Sequence, residues 1–150
     1  MTVIIRNGEI AEDHFKGRFA CFGDGIAVPV GADTDEKGLD VPSSIDPDEL
    51  VGLAFGFSAV RIDFPSFADG RGFSLAARLR RGGFKGLLRA RGHLISDQYP
   101  MAIRSGFDEI EISREMLERQ PVELWAEALQ RVEGTYFQRL CARRPVREAA

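Results

Sequence analysis

Residues 57–92 read FSAVRIDFPSFADGRGFSLAARLRRGGFKGLLRARG, which is the clearest structural pattern in the chain. Polar and apolar residues alternate at both ends of this stretch, as they do in strands with one buried face. Between these ends, the apolar residues recur at the spacing of a helix. The predicted elements continue downstream in the order strand 57–64, helix 72–81, strand 86–92, helix 98–105 and strand 109–112. Such alternation predicts parallel strands, because the helices supply the crossovers.

The flanking sequence completes an α/β domain. Asn7-Gly8 predicts a tight turn between two short strands within residues 3–10, and 25–30 predicts another strand. Residues 31–48 are acidic and rich in Gly, Pro and Ser, which predicts a loop. We therefore divide the chain into an N-terminal β appendage with an acidic linker, 1–45, and a β/α domain, 46–150.

The termini of the later helices carry recognisable signals. A helix begins near Asp46, and another is capped by Ser113 and restarts at Pro121. After Pro121, an apolar stripe that includes Trp125 and Ala128 has the spacing of a helix packed on the core.

The three central strands each carry charges on one face. If they are neighbours, that face holds three positive and three negative side chains: Arg61, Asp63, Arg89, Arg91, Glu109 and Glu111. A polar face resembles the inside of a partial β/α barrel more than a sheet covered by helices on both sides. Three β/α units cannot close a barrel, so the N-terminal appendage, a second subunit, or substrate and water must cover the open side. We expect a homodimer.

Two groups of residues are candidates for function. Asp63, Arg89 and Glu111 are the candidate catalytic residues, since parallel β/α proteins place their sites at the carboxyl ends of strands. The loop into the helix at 72–81 is the candidate anion-binding site, because glycines and a helix start favour an oxyanion. Its residues are Asp69, Gly70, Arg71, Gly72, Ser74 and Arg78. Each group also has a non-functional alternative. The charged strand residues could form only a network of salt bridges, and the loop residues could serve only to shape the turn.

Composition excludes several classes of protein. The net charge is −3, although residues 1–70 are acidic and 71–150 basic. No nucleic-acid-binding motif accompanies the basic half, and no apolar stretch is long enough to span a bilayer, so we expect a cytoplasmic protein. Cys21 and Cys141 are isolated, which predicts reduced structural thiols. Asp63, His93 and Glu111 lie at the carboxyl ends of three strands and carry donors that could hold a divalent metal, but no metal site is predicted, and no cofactor motif is present.

The motifs FPSFADGRGFSLAARLR, FKGLLRARG, SDQ and SGFDEIEI together resemble the bacterial family called domain of unknown function 934, over about residues 3–138. The positions that match the family pattern are Asp63, Phe64, Pro65, Asp69, Gly70, Arg71, Ser74, Arg78, Arg89, Gly92, Asp97, Gln98, Gly106, Phe107, Asp108 and Glu111. His93 and Ser105 depart from it. Relatives often have Asp and Cys there, so neither a carboxylate metal site nor an essential thiol is expected at these positions.

Members of the family are often labelled as oxidoreductases of sulfite reduction, largely because of neighbouring genes. The resemblance therefore implies a role in sulfur metabolism, and three hypotheses stay open. The first is an accessory protein of assimilatory sulfite reduction that binds a reductase subunit or a small oxyanion. The second is an enzyme acting on a sulfur oxyanion or a nucleotide-linked sulfur intermediate, with Asp63 or Glu111 as acid/base and Arg71 and Arg89 stabilising charge. The third is a non-catalytic dimer joined through its ionic face.

Overall fold

The strands of the chain assemble into one seven-stranded sheet in the computed structural model, which describes residues 1–23 and 36–131. The order across the sheet is β2-β1-β7-β6-β5-β4-β3. The strands are β1 (Thr2–Arg6), β2 (Glu9–Ala11), β3 (Arg18–Cys21), β4 (Lys37–Val41), β5 (Ala59–Phe64), β6 (Leu87–Gly92) and β7 (Glu109–Ser113). The helices are α1 (Pro47–Ala54), α2 (Arg71–Arg81), α3 (Tyr99–Ser105), α4 (Arg114–Arg119) and α5 (Val122–Gln130).

The five strands from β3 to β7 are parallel, which confirms the α/β class and the predicted β/α units. The prediction of a loop over residues 31–48 is wrong at β4. Glycine and aspartate disfavour strands locally, but pairing of Leu39 with Val60 buries Leu39 and Val41 in the core. The strand predicted at 25–30 lies outside the described residues, as does Cys141.

The N-terminal hairpin forms at the predicted turn. Asn7 and Gly8 have φ angles of 55° and 77°, as a type I′ turn requires. The hairpin extends the main sheet, because β1 pairs antiparallel with β7, where Ile5 lies opposite Ile110. The seven strands found in the described part of the chain thus belong to one sheet, and the division of the chain at residues 45 and 46 stays a prediction.

The connection from β2 to β3 shows that the sheet is strongly curved. These strands lie at opposite edges, and in a flat sheet six strand spacings would separate them by about 29 Å. Residues 12–17 join them, and this length of chain reaches at most about 25 Å when fully extended. The sheet is therefore curled into a partial barrel. The segment 12–17, which we call the strap, connects its two edges.

Apolar side chains on the outer face of the sheet form the core with the helices. Ile62 and Phe64 from β5 are fully buried, together with Ala76 from α2 and Trp125 from α5. Trp125 packs edge-on against Tyr99, with 5.5 Å between ring centroids, as expected for a core position. None of the helices in the described ranges is long and apolar enough to cross a membrane.

Candidate functional site

The inner face of the partial barrel carries a network of ion pairs centred on Arg89. Its side chain is 1% exposed. Nε and Nη2 donate to Glu109 at 3.2 and 3.0 Å, and Nη1 donates to Glu111 at 2.9 Å. The remaining bonds go to Asp13, from Nη2 at 2.6 Å and Nη1 at 3.2 Å. All five N–H donors of the guanidinium are thus engaged.

Arg61 is held in a similar way on the neighbouring strand. Its Nε and Nη2 donate to the two oxygens of Asp40 at 2.5 and 2.6 Å, and Nη1 reaches Glu111 at 3.2 Å. The guanidinium carbon lies 4.0 Å from the centroid of the Phe19 ring. A Cβ at residue 38 would overlap that ring, so Gly38 gives it room to lie across β4.

Within residues 1–23 and 36–131, the charges of the network are balanced. Four arginines face four carboxylates: Arg6, Arg61, Arg89 and Arg91 face Asp13, Asp40, Glu109 and Glu111. Burial disfavours the charged form of Arg89, but the bond to Asp13 and the charge of Glu109 outweigh it and raise its pKa above the ordinary value. The N-terminal part of the chain, through Asp13 and Phe19, is therefore what covers the polar face, one of the three possibilities left open above.

The loops after β4, β5 and β6 meet at the carboxyl end of the sheet. We call the segments 42–46, 65–70 and 93–98 the rim. Two side-chain bonds join them: Ser43 Oγ donates to Asp69 at 2.7 Å, and Gln98 Nε2 donates to the carbonyl oxygen of Phe67 at 2.7 Å. Phe67, which lies between these bonds, is 61% exposed. The rim therefore presents an aromatic ring on hydrogen-bonded loops.

Arg71 follows the rim and is held by Asp69. Its backbone N–H, Nε and Nη2 all donate to the Asp69 carboxylate, at 3.1, 3.0 and 2.8 Å. Asp69 thus occupies the position at the start of α2 where the sequence predicted an external anion. Gly70 precedes the helix, and Gly72 allows close packing, since a Cβ there would overlap the buried Phe64 ring.

The other predicted anion-binding residues lie further along α2. Ser74 and Arg78 line a shallow surface depression together with Arg81, and Asp46 and Asp48 line it as well. Arg78 forms an ion pair with Asp48. The structure thus brings Ser74 and Arg78 together, turns Arg71 toward Asp69, and places acidic groups beside the arginines.

The remaining predicted residues have separate positions. Asp97 pairs with Arg131 at 3.1 Å on the surface. Asp63 is exposed at the end of β5, opposite Arg91 in the register. Among residues 1–23 and 36–131, no hydrogen bond or ion pair to Asp63 is found, so it is not brought against Arg89 or Glu111. Within those ranges no three His, Cys, Asp or Glu residues lie together as a metal site would require.

Sequence reasoning missed Arg6, Asp13, Phe19 and Asp40 as members of the inner network. Asp40 lies in the strand that was read as a loop, although Leu39 and Val41 flank it with the alternation of a strand. Asp13 and Phe19 reach the network only because the curled sheet brings the strap and β3 over β6. No local pattern in the sequence marks such a contact.

The fold and the site define a mixed α/β protein with a partly closed, mostly parallel sheet that buries a balanced ion-pair network. The family model described as "Bacterial protein of unknown function (DUF934)" matches residues 38–147. The chain belongs to this family, which confirms the resemblance seen in its sequence. A comparison with curated proteins gives no match.

The bond between Arg71 and Asp69 gives a testable pH dependence. Arg71 and then Ser43 hold the pKa of the Asp69 carboxyl well below its ordinary value of 3.8. Because the folded-state pKa is depressed, this contribution to stability is present at neutral pH and declines as the pH falls below about 3.8. A carbon-detected NMR titration should show that Arg71→Gln moves the Asp69 midpoint up toward 3.8. An unchanged midpoint would contradict the assignment.

Proposed function

We propose that this protein is a non-catalytic accessory protein of assimilatory sulfite reduction that binds a reductase subunit through its rim. The observation that carries the proposal is the state of the two arginines expected to bind or stabilise an anion. Arg71 is held by Asp69, and all donors of Arg89 go to carboxylates of the same chain. The link to sulfite reduction comes from the family resemblance. The proposal that the protein binds a partner and does not catalyse comes from this geometry.

The enzyme hypothesis receives less support from the same contacts. Arg89 and Glu111, two of the three candidate catalytic residues, are bonded to each other at 2.9 Å. Arg89 can stabilise charge on a substrate only after one of its carboxylates leaves. Asp13 is half exposed and can be displaced, whereas Glu109 and Glu111 are buried and stay bound to it. Asp63, the third candidate, is exposed. The three do not form an open constellation around one reacting atom.

The dimer hypothesis required the ionic face to form the interface. Arg89 and Glu109 are each 1% exposed within a single chain, so these side chains offer almost no surface to a second copy. We therefore place partner binding on the rim rather than on the inner face.

The rim has features that favour protein binding. Phe67 is a large exposed aromatic side chain, and such residues supply much of the affinity when they enter a pocket on a partner. The bond from Gln98 to its carbonyl and the bond from Ser43 to Asp69 restrain the loops. A restrained loop loses less conformational entropy on binding.

Replacement of Phe67 by alanine tests the proposal. We expect Phe67→Ala to weaken binding to the cognate sulfite reductase by about tenfold or more, as for a central aromatic contact. The measurement is a fluorescence anisotropy titration of the labelled protein with purified reductase, with circular dichroism to verify folding.

Phe55 provides the matched control. It is 62% exposed, against 61% for Phe67, but it follows α1 and precedes the amino end of β5. We expect Phe55→Ala to bind the reductase within about twofold of the unmodified protein, as for a residue outside an interface. If the reductase does not bind, or if both variants bind equally, the rim is not the binding surface.

A further inference from the structure

The strap places a carboxylate of the chain against a buried arginine. Asp13 binds the outer edge of Arg89 with both oxygens, Oδ1 to Nη2 at 2.6 Å and Oδ2 to Nη1 at 3.2 Å. Two parallel N–H···O bonds of this kind are how a guanidinium binds a free carboxylate or another oxyanion. Arg89 is thus a preformed binding group for an oxyanion, and the oxyanion it holds belongs to the same chain.

Asp13 differs from the other carboxylates of the network. Asp40, Glu109 and Glu111 lie on strands, and their side chains are 20%, 1% and 6% exposed. Asp13 lies in the six-residue strap, outside any strand, and its side chain is 47% exposed. It can therefore leave Arg89 together with the strap, whereas Glu109 and Glu111, the other two carboxylates bound to Arg89, are buried on β7.

The rest of the site stays in place when Asp13 leaves. Glu109 and Glu111 continue to hold Arg89 from the strand side through Nε, Nη1 and Nη2. Phe19 lies beside the guanidinium, with 5.6 Å from its ring centroid to the guanidinium carbon, and Phe15 packs on Phe19 at 4.7 Å. A vacated site would thus present one fixed guanidinium edge beside an aromatic wall.

We propose that Arg89 is an oxyanion-binding site gated by the strap, in which Asp13 occupies the place of the ligand. The ligand class is a small oxyanion with two oxygens spaced for a guanidinium, such as a carboxylate or sulfite. Asp13 is tethered, so it competes at an effective concentration on the order of millimolar. This site is separate from the rim and does not depend on the proposed function, since loss of reductase binding leaves Arg89 unchanged.

Chemical rescue of a vacated site tests this inference. Asp13→Ala removes the internal oxyanion, and we expect it to lower the Tm. Sodium acetate and sodium sulfite should then raise the Tm of the variant saturably, whereas sodium chloride at equal ionic strength should not. The apparent Kd for acetate or sulfite should be about tenfold or more tighter in Asp13→Ala than in the unmodified protein, because the competing state is gone.

Asp48→Ala is the matched control, since it vacates the exposed Arg78 in the same way. Equal responses of the two variants, or equal effects of chloride and the oxyanions on Asp13→Ala, would overturn the proposal. If Asp13→Ala does not fold, Asp13→Asn replaces it, because an amide keeps the size of the side chain and an acceptor for the Phe15 N–H. The comparison of ions and the deciding outcomes are then the same.

Discussion

Replacement of Arg89 by alanine is expected to lower the free energy of unfolding by about 3–5 kcal/mol, the range found when one partner of a buried ion pair is removed. The reason is the position of its partners. Glu109 is 1% exposed and Glu111 is 6% exposed. Arg6, Arg61 and Arg91 still pair with them, but the network then holds one more negative than positive charge, and its buried carboxylates are left without full compensation. Urea unfolding followed by circular dichroism measures the difference.

Arg78→Ala serves as the comparison for Arg89→Ala. Arg78 also pairs with an aspartate, but the two side chains are 49% and 75% exposed, and exposed pairs contribute about 0–1 kcal/mol. We therefore expect a loss several times smaller for Arg78→Ala. Equal losses for the two variants would show that burial of the network does not determine its contribution to stability.

Trp125→Ala is the second substitution with a large expected effect, a loss of about 3–5 kcal/mol in the free energy of unfolding. Trp125 is fully buried, packs on Tyr99 and donates its indole N–H to the carbonyl oxygen of Gln120 at 3.1 Å. Tyr99 in turn accepts a bond from the N–H of Gly8 in the hairpin turn at 3.0 Å. The cavity would therefore loosen both α5 and the hairpin.

The neighbouring residue on α5 gives the control for Trp125→Ala. Leu124 is 41% exposed, and its replacement by alanine should cost about 1 kcal/mol or less. Both variants are measured by urea unfolding with the same probe. A loss for Trp125→Ala no greater than that for Leu124→Ala would contradict the packing described for α5.

The local elements of this fold could be predicted because their signals lie within a few residues. Alternation marked β5, β6 and β7. Pro121 marked the boundary between α4 and α5. Ser113 marked the start of α4, and its hydroxyl accepts the predicted capping bond from the N–H of Met116 at 3.2 Å. Asn7-Gly8 marked the hairpin. In each case the pattern depends on the local geometry of the backbone, which is the same whatever the rest of the protein packs against it.

The covering of the polar face was not predictable in the same way. Of the six charged residues predicted to share this face, the structure groups all but Asp63 in the inner network. Their partners Arg6, Asp13 and Asp40 come from distant parts of the chain. Sequence spacing indicates which way a side chain points in a strand. It does not indicate how far a sheet curls, and the curl is what brings the strap over Arg89.

The predicted anion loop shows a second limit. Glycines, arginines and a helix start favour a negative charge, and in the structure Asp69, two residues before Arg71, supplies one. Binding of an external anion by this loop stays a prediction. The carboxylate of a residue so close in sequence can fill such a site as well as an anion from solution. The composition of such a loop therefore predicts that a negative charge will lie there. It does not show whether that charge belongs to the chain or to a ligand.

The pairing of the first strand with the last has a consequence for how the chain is made. Thr2 lies opposite Ser113 and Ile5 opposite Ile110, so β1 leaves the ribosome long before its partner on β7 exists. Contacts this distant in sequence close large loops and slow folding. Until the hairpin docks, the edge of β7 presents unpaired backbone N–H and C=O groups, and nascent chains aggregate through such strand edges. The hairpin thus protects the newly made protein as well as completing its sheet.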